Sequence, residues 1–113
     1  MPLGLNEYQD IARRTAIYKD AIVYPALGLS GEAGEVAEKI KKLIRDKGGI
    51  AGLAEMELED RQAVAKEIGD VMWYCANLAL DIGYKLEDVA KINIGKLAQR
   101  QINGTLGGSG DNR

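Results

Sequence analysis

Apolar residues in this chain recur at steps of three and four, the spacing of a single helix face. Four such segments stand out. The first runs from about Asn6 to Lys19, where Asn6 offers an N-cap and Gln9 stands three positions on as its return partner in a capping box. The second begins near Pro25, a residue suited to a first helical turn, and carries Leu29, Val36, Ile40, Leu43 and Ile44 on one stripe. Gly48-Gly49, following the basic Lys47, predicts its end. Residues 48–57 read as a loop or short irregular segment. A third helix is predicted from about Glu59 to Ile82, with Val64, Ile68, Val71, Met72, Cys75, Leu78, Ala79 and Ile82 as its stripe and Gly83 as its cap. A fourth runs from about Leu86 to Gln101. No β-type alternation stands out between these segments. The pattern predicts an all-α fold, a bundle of about four helices over residues 1–104. The Gly-rich remainder, 105–113, predicts a tail that stays flexible unless a ligand or partner orders it.

Composition narrows the possible chemistry. At 113 residues the chain fits one domain, and a domain this small buries only about two-thirds of its unfolded surface, so it gains from burying more in an oligomer. A net charge of −2 argues against general nucleic-acid binding, which needs a basic surface. It leaves room for a small anionic ligand, because a bound metal reverses the local charge. The single cysteine, Cys75, allows neither an internal disulfide nor a cysteine zinc cage. No apolar run reaches membrane-spanning length and the N-terminus lacks the pattern of a signal peptide, which together predict a cytoplasmic protein without a membrane partner. The chain has no histidine, so a Ser-His-Asp triad and histidine-ligated zinc or iron are excluded. Chemistry then falls to carboxylates, Lys, Arg, Tyr, Ser/Thr or Cys75, and any metal is a hard cation with oxygen ligands.

Two acidic pairs fit that description. Glu32 and Glu35 lie in GLSGEAGEVAEKIKK, and Glu67 and Asp70 lie in KEIGDVMWY. The i, i+3 spacing projects each pair from one side of its helix. Like charges so placed repel, and two facing pairs repel more, unless a cation sits among them. Four oxygen donors from two antiparallel helices would suit Mg²⁺ or Mn²⁺ together with substrate phosphates. A solvated charged face is the better explanation of one such pair taken alone. The second pair is less easily dismissed: Glu67 and Asp70 alternate with Ile68, Val71 and Met72, and the helix is uncharged from there to Asp81.

Other residues accompany the pairs. Lys39 lies two turns after Glu32 on the same face, where it can meet a carboxylate or a phosphate. Trp73, Tyr74 and Asn77 follow Asp70 and offer stacking and hydrogen bonds to a base or sugar, or simple interhelical packing. Asn93 falls inside the apolar stripe of the fourth helix, between Leu86 and Leu97; an amide buried there without a partner costs roughly 1–3 kcal/mol, so it predicts a partner. Lys96 and Arg100 follow on the same side, within reach of phosphates. Gly28, Gly31 and Gly34 each cost the second helix up to about 1 kcal/mol relative to alanine and predict close approach of another helix or a ligand. No GxxxxGK[ST] phosphate loop is present.

With ExxE followed after a long gap by ExxD, the sequence resembles the MazG-like all-α nucleoside triphosphate pyrophosphohydrolases. YPALGLSGEAGEVAEKIKKLIRD resembles the first metal helix of that family and KEIGDVMWYCANLALDIG the second. EYQDIARRTAIY and NIGKLAQRQINGTLGGSGDNR resemble the first helix, and the last helix and tail, of its short single-domain phage and bacterial branch. The resemblance implies Mg²⁺-dependent hydrolysis of an NTP or dNTP to the monophosphate and pyrophosphate, with Mn²⁺ as a substitute and two or more ions per site once substrate is bound. It implies Glu32, Glu35, Glu67 and Asp70 as metal ligands, and Asn93, Lys96, Lys39 and Arg100 as contacts to the nucleotide or its phosphates. It also implies a homodimer or homotetramer acting on nucleotide pools in a bacterial or phage-infected cytoplasm. One departure is visible: Lys85 stands where relatives often have Ser before the last helix, which predicts a weaker cap. Glu35 is the expected general base. The competing expectation is a non-catalytic helical adaptor whose acids are surface charges.

Overall fold

The computed structural model describes residues 2–48 and 56–111. These form four helices, α1 (Leu5–Arg13), α2 (Val23–Lys47), α3 (Leu58–Asp81) and α4 (Leu86–Asn103), and no strand occurs among them. Most of the expected 48–57 loop lies outside the described residues, as does the very end of the tail. α2 and α3 form the long pair that organises the molecule. Their contacts fix an antiparallel register: the Ile22 amide meets Asp81, Gly28 meets Tyr74, Lys39 meets Glu67 and Lys47 meets Asp60. α1 packs across α3 and touches the start of α4.

Glycine sets two of the helix ends. Gly48 closes α2 at φ 75°, and Gly104 closes α4 at φ 70°, where the next amide, Thr105 N–H, reaches back to the Arg100 carbonyl at 2.8 Å.

The first helix is shorter than its periodicity predicts, ending at Arg13 rather than Lys19. The cause is tertiary. Asp81, at the last turn of α3, draws the connector onto itself: it pairs with Arg13 at 2.8 Å, accepts from the Tyr18 hydroxyl at 2.8 Å and accepts from the Ile22 amide at 3.0 Å. Burial pushes the Asp81 carboxyl up, but the Ile22 amide, Tyr18 and Arg13 outweigh it and hold the group below its ordinary value. Ile22 itself sits at φ 69°, ψ −60°, a conformation a β-branched residue rarely takes, with Val23 N–H donating to the Ala21 carbonyl at 2.7 Å.

The capping box is also corrected. α1 begins after Gly4 with no side-chain cap. Asn6 and Gln9 instead serve α4: the Leu86 amide donates to Gln9 Oε1 at 2.9 Å and the Glu87 amide to Asn6 Oδ1 at 3.0 Å. These are first-turn amides that no residue of their own helix can satisfy. Lys85 contributes no side-chain cap, and α1 supplies from across the fold what it lacks. Gln9 is 2% exposed and also donates to the carbonyls of Ala76 and Tyr84, so one amide ties three helices together.

The buried apolar core is small: Ala12, Leu43, Ala76 and Ala79, joined by the buried Gln9 and Asn77. The α3 stripe is only partly used, since Ile68, Met72 and Ile82 remain exposed.

Candidate metal and nucleotide site

The antiparallel register of α2 and α3 brings their acidic pairs together. Carboxylate oxygens of Glu32, Glu67 and Asp70 lie within 4.8 Å of one another. Glu32 and Glu67 are partly buried, while Asp70 is open to solvent. Such a group is electrostatically unfavourable by itself. Partial desolvation, then the charges of Asp70, Glu67 and Glu35, push the Glu32 carboxyl up. Glu35 does not join the close group. It stays exposed on α2, near enough for its charge to be felt at Glu32.

Several side chains edge this group. Lys39 Nζ is 3.9 Å from Glu67 Oε1, which places a cation beside the acids rather than only along its own helix. Tyr74 packs against the α2 backbone at Gly28, where an added Cβ would fall 2.1 Å from the ring. That explains one glycine of the row. Gly31 and Gly34 have nothing within 4 Å of such a Cβ, so the close approach expected of them does not occur among the described residues. The neighbouring Tyr24, with burial and the nearby acids Glu32 and Asp70, pushes the Tyr74 hydroxyl up.

An aromatic cluster continues from there. Trp73 meets Tyr74 edge-on at 5.0 Å and Tyr18 edge-on at 6.3 Å, and Tyr18 stacks on Tyr24 at 5.1 Å. Trp73 Nε1 donates to Thr15 Oγ1 at 2.8 Å. Thr15, Ile17, Tyr18, Lys19, Asp20, Tyr24 and Trp73 surround an open recess of about 480 Å³. Asn77, in contrast, is fully buried, accepting from Arg13 at 3.2 Å and donating to the Trp73 carbonyl at 3.1 Å. Its amide is occupied within the fold.

The α4 candidates stand on a helix that makes no contact with α2 among the described residues. Asn93 is exposed, which corrects the expectation of a buried amide; α4 leans on the rest of the chain mainly near its start, so its stripe stays open. Asn93 borders an apolar recess of about 420 Å³ with Leu5, Ile68, Met72, Cys75 and Val89. Burial pushes the Cys75 thiol up, as expected beside apolar neighbours. Lys96 and Arg100 both engage the tail residue Asp111, at 3.1 and 3.4 Å to its Oδ1.

Sequence reasoning missed Tyr8, Tyr18 and Tyr24. The Tyr8 hydroxyl is pushed up by burial, then by Cys75 and Asp70. A signal was present. The chain has five tyrosines and one tryptophan but no phenylalanine, so every ring carries a polar tip that needs a partner.

A negative nest with a lysine and polar aromatics at its edge suits a phosphorylated ligand held through a hard cation. The chain is 43% identical over 119 residues to the Gene 37 protein of Mycobacterium phage L5, covering 98% of this chain and all of that protein. No solved structure matches it. Residues 25–104, which include all four acids, match the model of the MazG nucleotide pyrophosphohydrolase domain, and the chain belongs to that family.

Proposed function

We propose that the chain is a metal-dependent pyrophosphohydrolase that converts a ribo- or deoxyribonucleoside triphosphate to its monophosphate and pyrophosphate, in control of nucleotide pools. One observation carries this reading: Glu32, Glu67 and Asp70 from two helices are held within 4.8 Å despite their mutual repulsion. Their hard oxygen donors fit Mg²⁺, or Mn²⁺ in its place, better than any softer metal. When bound, the divalent ion supplies positive charge to the phosphate oxygens and acidifies a water.

The remaining work falls to the chain's own side chains. Glu32, Glu67 and Asp70 hold the ion, and Lys39 beside Glu67 balances phosphate charge. Glu35 is exposed and outside the close group, so it is the carboxylate free to take a proton from the attacking water. Trp73 lines the aromatic recess and Tyr74 meets the Trp73 ring edge-on, which suits a nucleobase. The exposed apolar side chains Ile68, Met72, Ile92 and Ile94, together with the apolar recess beside Asn93, support self-association of this chain.

The test is a hydrolysis panel over the eight common NTPs and dNTPs with Mg²⁺ and pyrophosphate detection. Glu67→Gln and Asp70→Asn are expected to lower turnover at least about 100-fold with the helical fold retained. Near-normal turnover in both variants would overturn the metal assignment. No hydrolysis of any of the eight by the unaltered chain would favour a helical adaptor with surface acids.

A further inference from the structure

Arg100 presents an anomaly. It stands near the end of α4, on a helix that is mostly exposed, yet its side chain is only 7% exposed. The tail buries it. After Gly104 the chain turns back, with Thr105 N–H on the Arg100 carbonyl, and continues until Arg100 Nη2 meets the Gly110 carbonyl at 3.4 Å, the Asp111 carbonyl at 3.2 Å and Asp111 Oδ1 at 3.4 Å. All three are long bonds, and all fall on a single nitrogen. Arg100 Nε is buried with no partner among the described residues, and so is the Thr105 hydroxyl. A guanidinium carries five donors, and one buried with so few of them engaged is poorly compensated.

The charges do not balance either. Lys96 Nζ lies 3.1 Å from the same Asp111 Oδ1, so two cations share one carboxylate, and that carboxylate is 83% exposed. A phosphate or pyrophosphate group carries more charge and more acceptor oxygens, and a guanidinium binds it through two parallel bonds. The cations would be better satisfied by such a ligand than by the tail.

From this we infer that the C-terminal turn is an autoinhibitory strap: Asp111 occupies a polyphosphate site formed by Lys96 and Arg100, and an incoming polyphosphate must displace it. The inference rests on the nucleotide reading above, which makes the triphosphate that ligand. Binding then releases the tail from Lys96 and Arg100, and tail release is the step that distinguishes a strap from a purely structural turn.

The experiment is calorimetric titration of a nonhydrolysable triphosphate with Mg²⁺ into the full chain and its Asp111→Asn variant, beside amide spectra of Gly110. Tripolyphosphate without a nucleoside forms a second arm, which separates recognition of the phosphates from recognition of the base. Asp111→Asn is expected to tighten binding about two- to fivefold, the worth of one exposed ion pair, and to lower KM with kcat unchanged. The Gly110 amide is expected to shift on saturation in the unaltered chain and to begin near the shifted position in the variant. Equal or weaker binding by the variant, or a Gly110 amide indifferent to ligand, would overturn the strap while leaving the nucleotide reading intact. Absence of triphosphate binding by both proteins would overturn both readings together.

Discussion

Replacing Gln9 with leucine keeps the approximate volume of the side chain and removes every hydrogen bond it makes. The structure sets the size of the effect. Gln9 is 2% exposed, so water does not stand in for the lost amide. Three bonds go: donation to the Ala76 carbonyl at 3.0 Å, donation to the Tyr84 carbonyl at 3.1 Å, and acceptance from the Leu86 amide at 2.9 Å. At about 1 kcal/mol net for each, the loss is about 3 kcal/mol. For a chain of this size that is roughly a 10 °C fall in Tm. The assay is urea unfolding followed by circular dichroism, at one fixed protein concentration because self-association would shift the midpoint. Amide exchange at Leu86 gives the local readout and is expected to rise sharply, since that first-turn amide of α4 loses its partner. Gln9→Glu refines the test. Its carboxylate still accepts from Leu86 but has no hydrogen for either carbonyl, and burial raises its folded pKa above the unfolded value of about 4.3. Its stability is therefore greatest near and below that unfolded value and falls as pH rises through the folded one. The variant is expected to be closer to the unaltered protein at pH 5 than at pH 7. A Gln9→Leu loss under 1 kcal/mol, or a Gln9→Glu variant indifferent to pH over that range, would refute the claim that this amide docks α1 and α4 onto α3.

Two further outcomes follow from the packing. Gly28→Ala puts a Cβ 2.1 Å from the Tyr74 ring and is expected to destabilise by about 1–3 kcal/mol, whereas Gly31→Ala meets nothing among the described residues and is expected to stabilise α2 by about 0.5–1 kcal/mol; paired thermal melts check both. Asp81→Asn weakens the anchor of the α1–α2 connector and is expected to cost about 2 kcal/mol at neutral pH. Because the folded pKa of Asp81 is depressed, its contribution is present above the unfolded value near 3.9 and is lost as pH falls through the folded value. Unfolding curves of the two proteins should therefore converge below about pH 4.

Sequence periodicity alone was enough to locate four helices, because a helix face repeats every three or four residues whatever surrounds it. The stop at Gly48 was equally local, since glycine takes a positive φ without a clash. The two acidic pairs were legible for the same reason: i, i+3 spacing puts both members on one side of a helix before any partner is known. Which acids meet was not legible. The register of α2 against α3 decides it, and that register joins Glu32 to Glu67 and Asp70 while leaving Glu35 outside. The amides that Asn6 and Gln9 satisfy also depended on packing. A side chain able to cap its own helix can equally cap one some 80 residues away, and only the crossing of α1 over α3 selects between them. Likewise Asp81 shortens α1, and Asp111 claims Lys96 and Arg100, through contacts that no local pattern encodes. Asn93 shows the converse, since its place in an apolar stripe predicted burial, but a stripe is buried only where another element comes to cover it.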